Sequence, residues 1–353
     1  MTDVLLSTPF HARTAEHNLA NAWVTRRSFA VPAHYGDPLQ EALAPHLTAA
    51  MIDISANQDL RIEGPGAAAL LSAACGAPLR GMSVGHSEEV HWCADGGGLR
   101  GLGVVSRLGE QDFLLRSTDA DLGWFASAAP RFGATVRDAT RERGLLLLTG
   151  PYAIAVMVAA RLEISHLEPN RHARYDWRGV GVTVFRCARL GGYELSCAAD
   201  DGMLVFDRLF RGGRLVDLRL AGEETLQLLQ LEAGMVLAYA DFVPARDPFA
   251  RTPSPAALGL PDLRGDGGRR EGPVLAGIEL ESDEPAPFAP VFAAGREAGR
   301  TLRSLYSPAL KGAIALAELS PANASPGTLV QVRRAEGSRT GEVGGRVTAL
   351  PFL

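Results

Sequence analysis

The chain has 353 residues, 46% hydrophobic and 21% charged, which is material for a sizeable core and two or three domains. Net charge is -5 and the pI is about 5.9, so no global field draws nucleic acid. No apolar run reaches the roughly 20 residues that cross a bilayer. The four cysteines (Cys75, Cys93, Cys187, Cys197) lack CxxC spacing, which argues against a zinc site or disulfide framework and fits a reduced, cytoplasmic setting.

The N-terminal stretch MTDVLLSTPFHARTAEHN has no basic segment followed by an apolar one, so no signal peptide is expected. Helices are predicted over Ala15–Trp23 and Pro38–Leu47, with a loop at Pro32–Gly36 between them. Met51–Ser55 and Asp59–Glu63 read as strands. Pro65 opens a helix over Gly66–Cys75, and Gly76 closes it. Three short strands follow, Glu89–Ala94, Leu102–Arg107 and Asp112–Arg116, joined by glycine turns at Gly96–Gly98 and Gly109-Glu110. A helix is predicted over Asp119–Phe132 and a strand over Ala134–Asp138.

Leu145–Thr149 reads as a buried strand. Gly150-Pro151 leads into a helix over Tyr152–Leu162. Strand, Gly-Pro, helix thus occurs twice, in RIEGPGAAALLSA and LLLTGPYAIAVMVAA, which predicts two related α+β units. A β-ribbon is expected at Val180–Ser196 and a helix at Gly222–Ala233. Leu260–Gly272, rich in glycine and charge, is the expected linker. Beyond it, strands at Val274–Leu280, Pro290–Ala293, Leu302–Tyr306, Ala313–Leu319, Thr328–Arg333 and Gly344–Pro351 predict a small β-barrel.

Few residues carry a chemical pattern by themselves. Gly96–Gly103 (GGGLRGLG) lacks a following helix and a Lys-Ser/Thr end, so it reads as a hairpin turn and not as a phosphate loop. No metal-ligand or nucleophile-elbow pattern occurs. His166 and His172 flank a loop rich in titratable groups. Glu194 falls on a strand among apolar neighbours. A carboxylate there either faces water at an edge or needs a partner. Two N–H groups of a heterocycle are one such partner.

Several segments, taken in order, resemble the aminomethyltransferase (glycine-cleavage T-protein) family. They are TPFHAR (Thr8–Arg13), HYGD (His34–Asp37), DIS (Asp53–Ser55), RIEGPGAAALL, TGPYA (Thr149–Ala153), GGYEL, QLEAG (Gln230–Gly234), SPAALGL (Ser254–Leu260), YSPALKGAIALAEL and LPFL. The nearest branch includes tetrahydrofolate-dependent demethylases. The resemblance implies an α+β fold: a three-domain ring around a central ligand hole, ending in a C-terminal β-barrel. The expected domains are 1–50 with 146–260, then 51–145, then 265–353. Tetrahydrofolate is the implied cofactor, its N5 receiving a one-carbon unit from a small-molecule methyl donor. A protein partner stays open; nucleic acid and membrane are not expected.

Carried over residue by residue, Glu194 falls on the family's pterin-reading glutamate. The run preceding it in the family, Tyr-Thr-Gly-Glu, is here Cys187–Leu190 (CARL). The family's catalytic aspartate is replaced by Gly101 or Leu102, a third-strand asparagine by Arg116, and a first-strand tyrosine by Glu89. Gln230 replaces an arginine, while Glu232 remains. Glu194, Arg116, Glu89 and Glu232 are therefore expected at the cofactor, and Arg100 and Trp92 at the substrate. His91, Tyr193 and Tyr306 are the candidate proton donors. Arg100, Arg116, Arg186 and Arg189 add positive charge that could clamp an anion. Loss of the acid points to simple methyl transfer, a demethylase acting on an O-, N- or S-methyl compound. Two alternatives stay open: a folate-independent enzyme of specialised metabolism on the same fold, and a non-catalytic binding or partner subunit.

Overall fold

A computed structural model describes residues 4–94, 97–164, 167–245, 255–258, 260, 272–336 and 339–353. The chain opens with β1 (Leu6–Ser7) and α1 (His11–His17). The helix predicted over Ala15–Trp23 is thereby corrected. It stops because the Asn18 side chain turns the backbone, donating to the Ala22 carbonyl at 2.9 Å and accepting from the Ala22 N–H at 3.2 Å. Trp23 instead begins β2 (Trp23–Arg26), which pairs with β3 (Phe29–Pro32). α2 (Pro38–Leu47) begins where predicted, because Asp37 accepts from the Gln40 N–H at 3.1 Å.

β4 (Ala49–Asp53), β5 (Gln58–Glu63) and α3 (Ala67–Cys75) come next. The meander follows as β6 (Ser87–Cys93), β7 (Leu99–Gly109) and β8 (Asp112–Ser117); Gly96, in its first predicted turn, lies outside the described residues. The predicted helix at 119–132 is shorter, α4 (Leu122–Ala128), because Pro130 tightens its end into a 3-10 turn at Ala129–Phe132. β9 (Thr135–Asp138), β10 (Arg143–Thr149) and α5 (Ala153–Ala159) complete the two strand–helix repeats. Gly64 and Gly150 occupy matching turns at φ 113° and 106°. A Cβ there would lie 2.9 Å from the Gly133 carbonyl and 2.7 Å from that of Thr48, respectively, so both positions demand glycine.

β11 (His172–Asp176) occupies what the sequence reads as a loop; His166 and the 261–271 linker lie outside the described residues. β12 (Gly181–Cys187), β13 (Gly192–Ala198), α6 (Gly202–Gly213), β14 (Leu218–Leu220) and α7 (Glu223–Glu232) follow. The sequence reading has no counterpart for α6. Its helical period is nonetheless clear, with Val205, Phe206 and Leu209 buried on one face and Met203 and Leu204 exposed on the other. Among the described residues no helix is long and apolar enough to cross a membrane.

The chain divides into two compact units, Met1–Val90 with Gly103–Leu226, and His91–Leu102 with Gln227–Leu353. In the first, a six-stranded sheet has the order β11-β12-β13-β10-β4-β14, and a five-stranded sheet the order β6-β7-β8-β5-β9. The first sheet buries one face against α5 and α6: Tyr193 and Leu195 of β13 join Leu146, Leu148, Val156, Phe206 and Leu209 in one core. Side chains alternate along a strand, so Glu194 and Ser196 point to the other face. In the second unit, β15 (Val274–Leu280), β16 (Pro290–Ala293), β17 (Arg296–Ser307), β18 (Gly312–Leu319), β19 (Leu329–Glu336) and β20 (Arg339–Thr348) close into the expected barrel.

A buried polar link ties β11 to the meander. Ser87 Oγ lies 2.7 Å from Ser106 Oγ and 3.0 Å from His172 Nδ1. Burial pushes the His172 imidazole down to about 4. The folded ring therefore stays neutral to about pH 4, whereas an unfolded histidine takes its proton near 6.5. Its contribution is complete above about pH 6.5 and is lost as pH falls towards 4. Urea unfolding across this window should show a falling stability that His172→Gln flattens. An unchanged slope in the variant would contradict the assignment.

Candidate functional site

The first unit contains a buried charge cluster at Glu194. β5 and β8 run antiparallel with Asp59 directly opposite Arg116, so their side chains share one face. Arg116 donates from Nε to Asp59 Oδ1 at 2.8 Å and from Nη2 to Oδ2 at 2.9 Å. Its third bond runs from Nη1 to Glu194 Oε2 at 2.7 Å, joining the five-stranded sheet to the six-stranded one. The side chains of Arg116, Asp59 and Glu194 are only 14%, 6% and 12% exposed. Two carboxylates thus share one guanidinium in a largely dry setting, with net charge -1.

The sharing is unequal. Burial pulls the Arg116 pKa down, but Asp59 and Glu194 more than offset that and hold it above its ordinary value. Asp59 takes two hydrogen bonds, Glu194 one. Burial accordingly lifts the Glu194 carboxyl above the usual range despite Arg116, and Asp59 lifts it further. Cross-strand neighbours of Glu194 are Leu147 and Phe185. The Cys187 thiol is pushed up to about 12 by burial, with Glu194 and Glu89 adding, so it stays protonated. Arg143 donates from Nε to Ser196 Oγ at 2.6 Å, and burial, then Arg116, lowers its pKa.

Of the residues expected at the cofactor, the structure brings Glu194 and Arg116 together. Glu89 pairs with Arg189 at 3.2 Å in an exposed contact, worth little to stability. Arg186 donates to the Leu167 carbonyl at 2.8 Å. Tyr193 lies in the α5–α6 core, on the face of β13 opposite Glu194. Asp59 and Arg143 escaped the sequence reading. The signal available for Asp59 was alternation, since Asp59, Arg61 and Glu63 place three charges on one face of β5.

In the second unit, Gly101 has no room for a side chain. Trp92 is fully buried, and a Cβ on Gly101 would lie 2.3 Å from its Cζ2 and 2.7 Å from Cε2. The indole fills the space that a side chain at 101 would need. Leu99 packs with Val236, Phe242 and Leu258, and Leu102 lies against that cluster. Arg100 donates to the Ala245 carbonyl at 3.2 Å, and His91 is buried. Glu232 accepts from Ser307 Oγ at 2.7 Å, and its carbonyl accepts from the Phe352 N–H, an arrangement that anchors the end of α7 and the chain's last residues. Tyr306 stands on β17, 37% exposed. Among the described residues no group of three or more His, Cys, Asp or Glu could hold a metal ion.

Residues 10–252 match the family described as the GCVT N-terminal domain, and residues 274–353 the glycine cleavage T-protein C-terminal barrel domain. A trimethylamine-oxide aldolase of Ruegeria pomeroyi is 27% identical over 332 residues, covering 85% of this chain, which spans only 41% of that protein's length. An aminomethyltransferase of Saccharopolyspora erythraea is 29% identical over 349 residues, with 91% of each chain covered. The crystal structure of the glycine cleavage system aminomethyltransferase T from Bartonella henselae superposes with a TM-score of 0.84 at 21% identity, covering 99% of this chain and 98% of that one. At that identity the match speaks for the fold.

Two outcomes are expected from these geometries. Arg116→Met strands two buried carboxylates and should cost about 3–5 kcal/mol in chemical denaturation. A loss below about 1 kcal/mol would rule out the bridge as a structural element. Gly101→Asp drives a side chain into a fixed indole and should cost about 3 kcal/mol. Trp92→Ala in the same chain should recover part of that loss, and a neutral Gly101→Asp would contradict the packing.

Proposed function

From the premise that this chain belongs to the glycine-cleavage T-protein family of enzymes, we propose that it is a tetrahydrofolate-dependent methyltransferase. On this reading it demethylates a small O-, N- or S-methyl compound in the cytoplasm. The observation that carries the reading is Glu194. It is a largely buried carboxylate fixed in one orientation, at the position the resemblance assigns to pterin recognition. Glu194 Oε1 accepts no hydrogen bond from a described residue, so an acceptor stands ready for a heterocyclic N–H. When bound, tetrahydrofolate supplies a modest nucleophile, N5. The protein's part is to orient it and exclude water.

On that reading Glu194 fixes the ring's rotation, while Leu147 and Phe185 flank it with apolar surface. A glycine at 101 offers no carboxyl, which favours methyl donors whose leaving group departs without a proton, such as sulfonium or quaternary ammonium compounds. The three-part division at 1–50 with 146–260, 51–145 and 265–353 belongs to the same proposal. It is supported by the repeated strand–Gly-Pro–helix units.

A second reading is cleavage of a methylated substrate without folate. Arg116, which occupies one oxygen of Glu194, favours it, as does the similarity to a trimethylamine-oxide aldolase. Calorimetry with tetrahydrofolate, followed by assay for 5-methyltetrahydrofolate with candidate methyl donors, separates the two. The folate reading expects binding that Glu194→Gln weakens at least tenfold, the value of one charged hydrogen bond (about 1.5–3 kcal/mol). No binding at millimolar tetrahydrofolate would exclude it.

A further inference from the structure

A two-donor heterocycle edge, such as the ring N–H and amino group of a reduced pterin, is matched by the two oxygens of one carboxylate. Glu194 does not offer them equally: each carboxylate oxygen can accept two hydrogen bonds, and one acceptor position of Oε2 is already filled by a cation. Oε2 takes Nη1 of Arg116 at 2.7 Å, and only Oε1 is without a partner among the described residues. Nor is Arg116 held by that contact alone. Asp59 binds its other edge at 2.8 and 2.9 Å, from the position directly across the β5–β8 pair. A guanidinium with two parallel bonds to a buried carboxylate does not swing away when its third bond is contested.

We propose that Asp59 and Arg116 form a selectivity lock on Glu194. They hold a guanidinium on one carboxylate oxygen, so a second donor must share Oε2 with a cation that repels it, which weakens a ligand with a two-donor edge and favours one that presents a single donor to Oε1. Three features argue for a built device over incidental surface charge. All three side chains are largely buried. The anchoring acid sits in register on the neighbouring strand. The lock joins two separate sheets through a single side-chain contact.

The lock rests on the folate reading of Glu194 only for its probe, and the test separates the two. Tetrahydrofolate binding is measured by calorimetry for the wild-type chain, for Asp59→Asn with Arg116→Asn, and for each with Glu194→Gln. The double substitution removes one acid and one base, so net charge stays at -5 and the position on Oε2 held by Arg116 is freed; titrations run from about pH 7 to 9, so that a carboxyl raised by the loss of its cation is ionised at the upper end. The double variant should bind tetrahydrofolate about tenfold to a hundredfold more tightly than wild type, one charged hydrogen bond recovered. Adding Glu194→Gln should abolish that gain. If wild type binds through Glu194 but the double variant binds no tighter, the lock is overturned and the folate reading survives. If neither binds, both fall. Thermal melts, with Asp59→Asn and Arg116→Gln as the conservative alternative, confirm that the variant compared is folded.

Discussion

One guanidinium shared by two carboxylates ties the two sheets of the first unit together. Arg116 is gripped from its own sheet by Asp59 and reaches across to Glu194 on the other. In water such an arrangement would contribute little. At 6–14% exposure each carboxylate needs the cation, because an unpaired charge there costs several kcal/mol. The same pairing constrains function. Arg116 holds one oxygen of Glu194, and Oε1 accepts nothing from a described residue.

The second constraint is steric. Trp92, on the neighbouring strand, lies where a side chain at position 101 would begin, so the glycine there is coupled to a large aromatic residue. A packed indole is not displaced by adding a carboxyl group, since the interior is close-packed and the ring is fully buried. Positions 116 and 101 therefore differ in kind. At 116 a charged residue has buried partners. At 101 the side chain is absent, and a neighbour fills the volume.

Much of the fold was legible in residue order. The Gly-Pro turns predicted two strand–helix repeats, and both glycines adopt the positive φ that a side chain resists. The barrel strands were legible from apolar runs between turn residues, and all six are present. α6 was legible too, since Val205, Phe206 and Leu209 recur at helical spacing, although the elements predicted from the sequence left it out. β11 was not, because polar residues in His172–Asp176 imitate a loop. Helix ends set by a side-chain clamp, as at Asn18, leave no periodic trace either.

The candidate site divides along the same line. Sequence by itself identified the family resemblance, singled out Glu194 as a carboxylate in need of a partner, and marked Arg116 and Gly101 as departures. Those are properties of single positions in a linear pattern. Only the tertiary structure decided that Arg116 meets Glu194, that Asp59 anchors it, that Tyr193 turns into the core, and that Trp92 fills the space beside Gly101. Each depends on which strands become neighbours and in what register. Position 59 meets 116, and 116 meets 194, across distances in sequence that local propensity and periodicity do not carry.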